Sequence, residues 1–151
     1  MHLKNREDVR TEAARFVSEL VSGARATIVT LSGELGAGKT TFVQGVARAL
    51  GVEEVVTSPT FVIMKMYELE NQAFKRLVHL DAYRLKGKEH LRVLGWDALV
   101  ADPGNLICVE WPEKIGGAVP QGAMSVALRY SGEGRDIIYG EEKSNTETSH
   151  S

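Results

Sequence analysis

Residues 33–40 read Gly33-Glu34-Leu35-Gly36-Ala37-Gly38-Lys39-Thr40, and this stretch decides the fold. Gly33-x4-Gly38-Lys39-Thr40 fits the phosphate-loop pattern at every fixed position. Glycines allow successive backbone N–H groups to turn inward around phosphate oxygens. A helix starting after Gly38 would aim the positive end of its dipole at the same point. Lys39 then supplies a mobile charge for the β- and γ-phosphates, and the Thr40 hydroxyl a ligand for Mg²⁺. The plain alternative is a flexible glycine-rich turn, so the flanking sequence has to decide.

Upstream lies Ala26-Thr27-Ile28-Val29-Thr30-Leu31, a short apolar run rich in β-branched residues that predicts a buried strand. Downstream, Thr41 to Leu50 places Phe42, Val43, Val46, Ala47 and Leu50 at helical spacing, with Gly51 as its stop. Strand, glycine loop, helix is the order in which a phosphate-binding loop is built. Working outward, Val9, Ala13, Phe16, Val17, Leu20 and Val21 predict a first helix ending at Gly23. Val52 to Phe61 reads as a loop. Phe61 to Leu69 and Lys75 to Asp81 read as a hairpin, so part of the sheet is expected to be antiparallel. Gly87 to Ala101 predicts one or two short helices broken near Gly95, and Asn105 to Trp111 a third buried strand. Ala123 to Tyr130 and Arg135 to Tyr139 predict a final hairpin across Gly132-Glu133-Gly134. The expected boundaries are one domain over residues 1–139 and a polar, disordered tail over 140–151.

The chain has 151 residues, enough for one domain with its own core. Its single cysteine, Cys108, excludes an internal disulfide and a cysteine-based zinc site, and suits a reducing cytoplasm. Within a core strand the thiol is expected to be inert. No apolar run approaches the roughly 18 residues needed to span a bilayer, and the first eight residues do not read as a signal peptide, so no membrane association is expected. Formal net charge is −2, carried by Glu141, Glu142, Lys143 and Glu147, which leaves 17 acidic and 17 basic residues in the rest. A neutral body with no dominant basic cluster is a poor stand-alone nucleic-acid binder.

A phosphate loop needs an acid for its metal, usually where an apolar strand ends. Leu77-Val78-His79-Leu80-Asp81 and Ile107-Cys108-Val109-Glu110 both end that way. Either acid alone could be a solubilising strand end; beside a phosphate loop, at least one is expected to ligate metal or position water. Thr57-Ser58-Pro59-Thr60 is either an ordinary proline turn or a hydroxyl-bearing nucleotide-sensing loop. Arg84 could reach phosphate or pair with a surface acid. His79 reads as a strand side chain rather than a ligand, and Trp111 as a buried residue beside Pro112 or a base-stacking one.

The ordered set Gly33 to Thr41, Ser58-Pro59-Thr60-Phe61, His79-Leu80-Asp81-Ala82-Tyr83-Arg84-Leu85 and Glu110-Trp111-Pro112 resembles the TsaE (YjeE) family, the bacterial ATPase of tRNA threonylcarbamoyladenosine biosynthesis. Leu94-Gly95-Trp96-Asp97 and Gly134-Arg135 look like the same family, so the likeness runs to about residue 137. The resemblance implies an α/β, P-loop NTPase-like three-layer sandwich whose mixed sheet has a parallel core and antiparallel edge strands. It implies Mg²⁺ held by Thr40 with Glu110, Asp81 close by, and Trp111 near the nucleotide. It implies a nucleotide-binding set of Glu34, Leu35, Gly36, Ala37, Gly38, Lys39, Thr40, Thr41 and Trp111. Lys39, Asp81, Glu110 and Thr60 form the implied catalytic set, with Ser58 and Thr60 in a switch-like loop. The implied activity is weak, Mg-dependent ATP hydrolysis, acting with the partner proteins TsaD and TsaB and reaching tRNA through them, in the cytoplasm.

Two other readings differ in class. A small-molecule kinase would carry an arginine-rich lid and an acceptor pocket, and the sequence has only scattered arginines and no lid-length insertion. A nucleotide-binding module with vestigial hydrolysis would have little use for both Asp81 and Glu110 beside an intact Lys39.

Overall fold

A computed structural model of the chain describes residues 1–34, 36–54, 56 and 64–142, the side chain of Lys88 excepted. In order, the elements are β1 (His2–Leu3), α1 (Arg6–Ser18), β2 (Thr27–Gly33), α2 (Lys39–Ala49), β3 (Met64–Glu68), β4 (Arg76–Asp81), α3 (Lys88–Val93), α4 (Trp96–Ala101), β5 (Asn105–Glu110), β6 (Met124–Ser131) and β7 (Gly134–Glu141). One seven-stranded sheet runs β1-β7-β6-β2-β5-β4-β3. β2 pairs in parallel with β5 and β6, and β4 in parallel with β5. The outer pairs β3–β4, β6–β7 and β1–β7 are antiparallel. The predicted mixed sheet with a parallel core and antiparallel edges is the one observed.

The central strands are hydrophobic on both sides because both faces are covered. Val29, Leu31, Leu106 and Cys108 face the layer formed by Val9, Ala13, Phe16 and Val17 of α1 and Phe42, Val43 and Val46 of α2. Ile28, Val78, Leu80, Ile107 and Val109 face the opposite layer with Leu91 of α3 and Trp96 of α4. Each fully buried side chain such as Phe42 contributes roughly 1.5–3 kcal/mol of transfer free energy. No helix among the described residues is long and apolar enough to cross a membrane.

The two outer helices are broken where expected, at Gly95, whose φ of +78° suits glycine. Other boundaries moved. The first helix stops at Ser18 and Val21 is 78% exposed. The Glu19 and Leu20 N–H groups donate to the Phe16 and Val17 carbonyls at 3.2 and 3.1 Å, a tightened last turn that ends the helix before the apolar spacing does. Residues 140–142, expected to belong to the tail, are hydrogen-bonded to the sheet instead. Gly140 and Glu141 pair with Ser125 and Met124 in β7, and the Glu142 N–H donates to the Ala123 carbonyl at 2.7 Å. Strand pairing is made by the backbone, so polar side chains at an edge do not end it. Residues 143–151 of the predicted tail lie outside the described residues. β1 was not anticipated, being only two residues long.

Candidate functional site

β2, β4 and β5 run parallel and end at the same edge of the sheet, where α2 begins. The loop from Gly33 to Gly38 passes from β2 into α2, and Gly38 is the N-cap, with φ +116° and no side-chain cap. The first helical N–H bond closes from Phe42 to the Gly38 carbonyl at 2.8 Å. Helix geometry therefore leaves the N–H groups of Lys39, Thr40 and Thr41 without an intrahelical partner. Gly36, Gly38, Lys39, Thr40 and Thr41 line a cleft of about 350 Å³, together with Asp81, Glu110 and Trp111.

Asp81 and Glu110 are register partners at the ends of β4 and β5, so adjacent parallel strands deliver both acids to the cleft. The Thr40 hydroxyl lies 3.3 and 3.2 Å from the two Glu110 carboxylate oxygens and donates to that carboxylate. Asp81 Oδ1 accepts the Tyr83 N–H at 3.0 Å, capping the 3-10 turn Ala82–Arg84 and holding the acid at the rim. Lys39 is 5% exposed; its ammonium donates to the Gly33 carbonyl at 2.6 Å and sits 3.6 Å from the centroid of the Trp111 ring. Burial holds its pKa below the ordinary lysine range, opposed by the carboxylates of Glu110, Glu113 and Asp81. Trp111 adopts a left-handed backbone conformation, φ +59°, uncommon for a bulky residue, and its ring tilts against Tyr83 at 5.0 Å. Burial pushes the Cys108 thiol up to about 12, so it is protonated and unreactive.

No three His, Cys, Asp or Glu side chains among the described residues cluster as a metal cage. One hydroxyl and one or two carboxylates with open positions is instead the donor set of Mg²⁺, which keeps waters and phosphate oxygens as its other ligands.

Of the predicted nucleotide set, Gly36, Gly38, Lys39, Thr40, Thr41 and Trp111 share the cleft. Glu34 and Ala37 do not line it: Glu34 is exposed with its carbonyl accepting the Ala37 N–H, and the Ala37 side chain is buried in the core. Leu35, Ser58 and Thr60 lie outside the described residues. Arg84 is exposed and does not line the cleft.

Four residues of the site were not anticipated: His79, Arg6, Arg10 and Gln44. His79, read as an ordinary strand side chain, lies with its Nε2 2.5 Å from Glu110 Oε2, both groups buried. The signal was its spacing: two residues before Asp81 on a strand puts it on the same side. Arg6 and Arg10 of α1 also line the cleft. Their i, i+4 spacing places them on one helical face, but nothing local says that this face meets the loop.

The sheet order, the loop between β2 and α2 and the two strand-end acids define a P-loop NTPase-like α/β protein. The sequence matches the family model of the threonylcarbamoyl adenosine biosynthesis protein TsaE over residues 3–137. The chain belongs to the TsaE family. It is 38% identical over 135 residues to the tRNA threonylcarbamoyladenosine biosynthesis protein TsaE of Bacillus subtilis, covering 87% of this chain and 81% of that one. It is 37% identical over 113 residues to the protein of the same name from Treponema pallidum, covering 74% and 79%. The crystal structure of Bacillus subtilis YdiB superimposes with a TM-score of 0.74 at 29% identity, over 92% of this chain and 82% of that one.

Proposed function

We propose that this protein is a Mg-dependent ATPase of the cytoplasm that serves threonylcarbamoyladenosine modification of tRNA, acting on or with a TsaD–TsaB complex. The observation that carries the reading is the contact of the Thr40 hydroxyl with both oxygens of a buried Glu110, one residue from a buried lysine and at the uncapped start of α2. A hydroxyl and an acid so paired would hold Mg²⁺, which would neutralise charge developing on the transferred phosphoryl group. The Gly36–Thr41 backbone would bind the phosphates through its N–H groups and Lys39 through its charge. Asp81, fixed at the rim by its cap to Tyr83, would orient water, and Trp111 would lie against the nucleotide. Thr60 is assigned to the same machinery by family resemblance alone.

The neutral body and the family membership support an indirect relation to tRNA, with the RNA held by TsaD and TsaB. The deciding experiment is ATP hydrolysis by the purified chain, alone and with TsaD, TsaB and tRNA. Low activity that rises with the partners is expected. ATP binding indifferent to those partners would leave the nucleotide site standing and overturn the place in tRNA modification.

A further inference from the structure

The cleft has a cationic wall that the loop does not supply. α1 is seated against α2 so closely that a Cβ on Gly45 would fall 2.6 Å from the Arg10 carbonyl oxygen and 2.7 Å from its Cα. β1 pairs with β7 just ahead of α1, and Asn5 caps the helix by accepting the Asp8 N–H at 2.9 Å. These anchors fix the first turn of α1 beside the phosphate loop and bring Arg6 and Arg10 into the lining of the cleft.

The arginines of α1 differ in how they are used. Arg15 pairs with Glu12 and Glu19. Arg10 pairs with Glu7 at 3.2 Å and donates to Gln44 Oε1 at 3.3 Å. Glu7 is further engaged by Arg48 at 2.7 Å. Arg6 makes no hydrogen bond, ion pair or ring contact with any described residue. The acids of the cleft are committed elsewhere, Glu110 to His79 and Thr40 and Asp81 to the Tyr83 N–H. Arg6 also occupies the first position of its own helix, where the dipole disfavours a cation. It shares the cleft with the uncapped start of α2 and with Lys39, both positive. An exposed guanidinium that lines the cleft and makes no ion pair with any described residue suits an anion that arrives from outside.

We propose that Arg6 is a nucleotide-binding residue that donates to the phosphate oxygens, extending the phosphate site from the loop onto α1. The inference rests on the ATP-binding reading above. Its test is competition of ATP and of inorganic tripolyphosphate against a fluorescent ATP analogue, on wild type, Arg6→Gln, Arg25→Gln and Lys39→Ala. Arg25 is an exposed cation just ahead of β2, at the end of the sheet away from the loop, and controls for general charge. Arg6→Gln is expected to weaken ATP and tripolyphosphate alike by about tenfold or more, the size of a lost charge-assisted hydrogen bond, while Arg25→Gln stays within about twofold. Thermal unfolding of Arg6→Gln should match wild type, because the side chain makes no hydrogen bond or ion pair with any described residue. Wild-type affinity in Arg6→Gln, or an equal loss in Arg25→Gln, overturns the proposal. Loss of ATP affinity with tripolyphosphate unaffected also overturns it, since the contact is then to base or ribose. Lys39→Ala separates the two levels: if it binds ATP as wild type does, the phosphate-loop reading falls as well.

Discussion

His79 Nε2 lies 2.5 Å from Glu110 Oε2, and the carboxylate so held is the one that the Thr40 hydroxyl meets at 3.2 Å. The histidine sits on β4, the acid at the end of β5 and the threonine on α2, so three elements converge on a single buried carboxylate. His79 is fully buried and its other nitrogen, Nδ1, has no hydrogen-bond partner among the described residues. Its role is to give Glu110 a partner inside the protein. His79→Leu should therefore destabilise the fold by about 1–3 kcal/mol, the cost of leaving a buried polar group unpaired. Urea denaturation measures this, and a loss below about 0.5 kcal/mol, the range of inert surface changes, would remove the role.

Lys39→Ala should weaken ATP binding by at least about tenfold, since it removes a charge placed at the phosphate loop. The ammonium now rests on the Trp111 ring and the Gly33 carbonyl, both of which it would leave to meet a phosphate. Calorimetric titration decides; an unchanged affinity would undo the assignment of the loop.

Glu110→Gln keeps the shape of the side chain and removes its charge. If the acid organises metal and water, hydrolysis should fall by about a hundredfold or more while ATP affinity changes far less. Equal turnover by variant and wild type in a phosphate-release assay would sink that role.

Gly45→Ala tests how α1 is seated. Alanine is the better helix former by about 1 kcal/mol, so on propensity alone the variant would be more stable. The added Cβ, however, would fall 2.6 Å from the Arg10 carbonyl, and backbone has to move to admit it. Overpacking of this kind costs about 1–3 kcal/mol, so net destabilisation is expected in urea. A stabilised variant would show that the two helices part easily.

Glu12 governs part of the acid limb of stability. Hydrogen bonding to Arg15 holds its carboxyl below the ordinary 4.5, against the opposing effect of burial and with help from the Tyr139 hydroxyl. A carboxyl whose pKa is lowered by folding stabilises the fold above its unfolded value and loses that contribution as pH falls through its folded one. Stability should thus decline as pH drops below about 4.5, and Glu12→Gln should flatten that decline. Parallel acid limbs for variant and wild type would exclude the residue.

The glycine-rich loop, the strand before it and the helix after it were legible because their signals are local: glycines where the backbone turns, β-branched residues in the strand, apolar residues at helical spacing. Asp81 and Glu110 could be named as strand-end acids, but which element stands beside which cannot be read from either segment. The extension of β7 to Glu141 was hidden because strand pairing needs backbone partners, not apolar side chains.

By itself the sequence determined the glycine-rich loop between a strand and a helix, the antiparallel part of the sheet and, through several ordered motifs, the family, all of which depend on short motifs and periodicities. Only the tertiary structure decided that His79 serves Glu110, that Lys39 lies on Trp111, and that the first turn of α1 brings Arg6 into the cleft. Those contacts join residues far apart in the chain. They exist because parallel strands end at one edge and because a glycine lets two helices touch, which is a property of packing rather than of any local stretch.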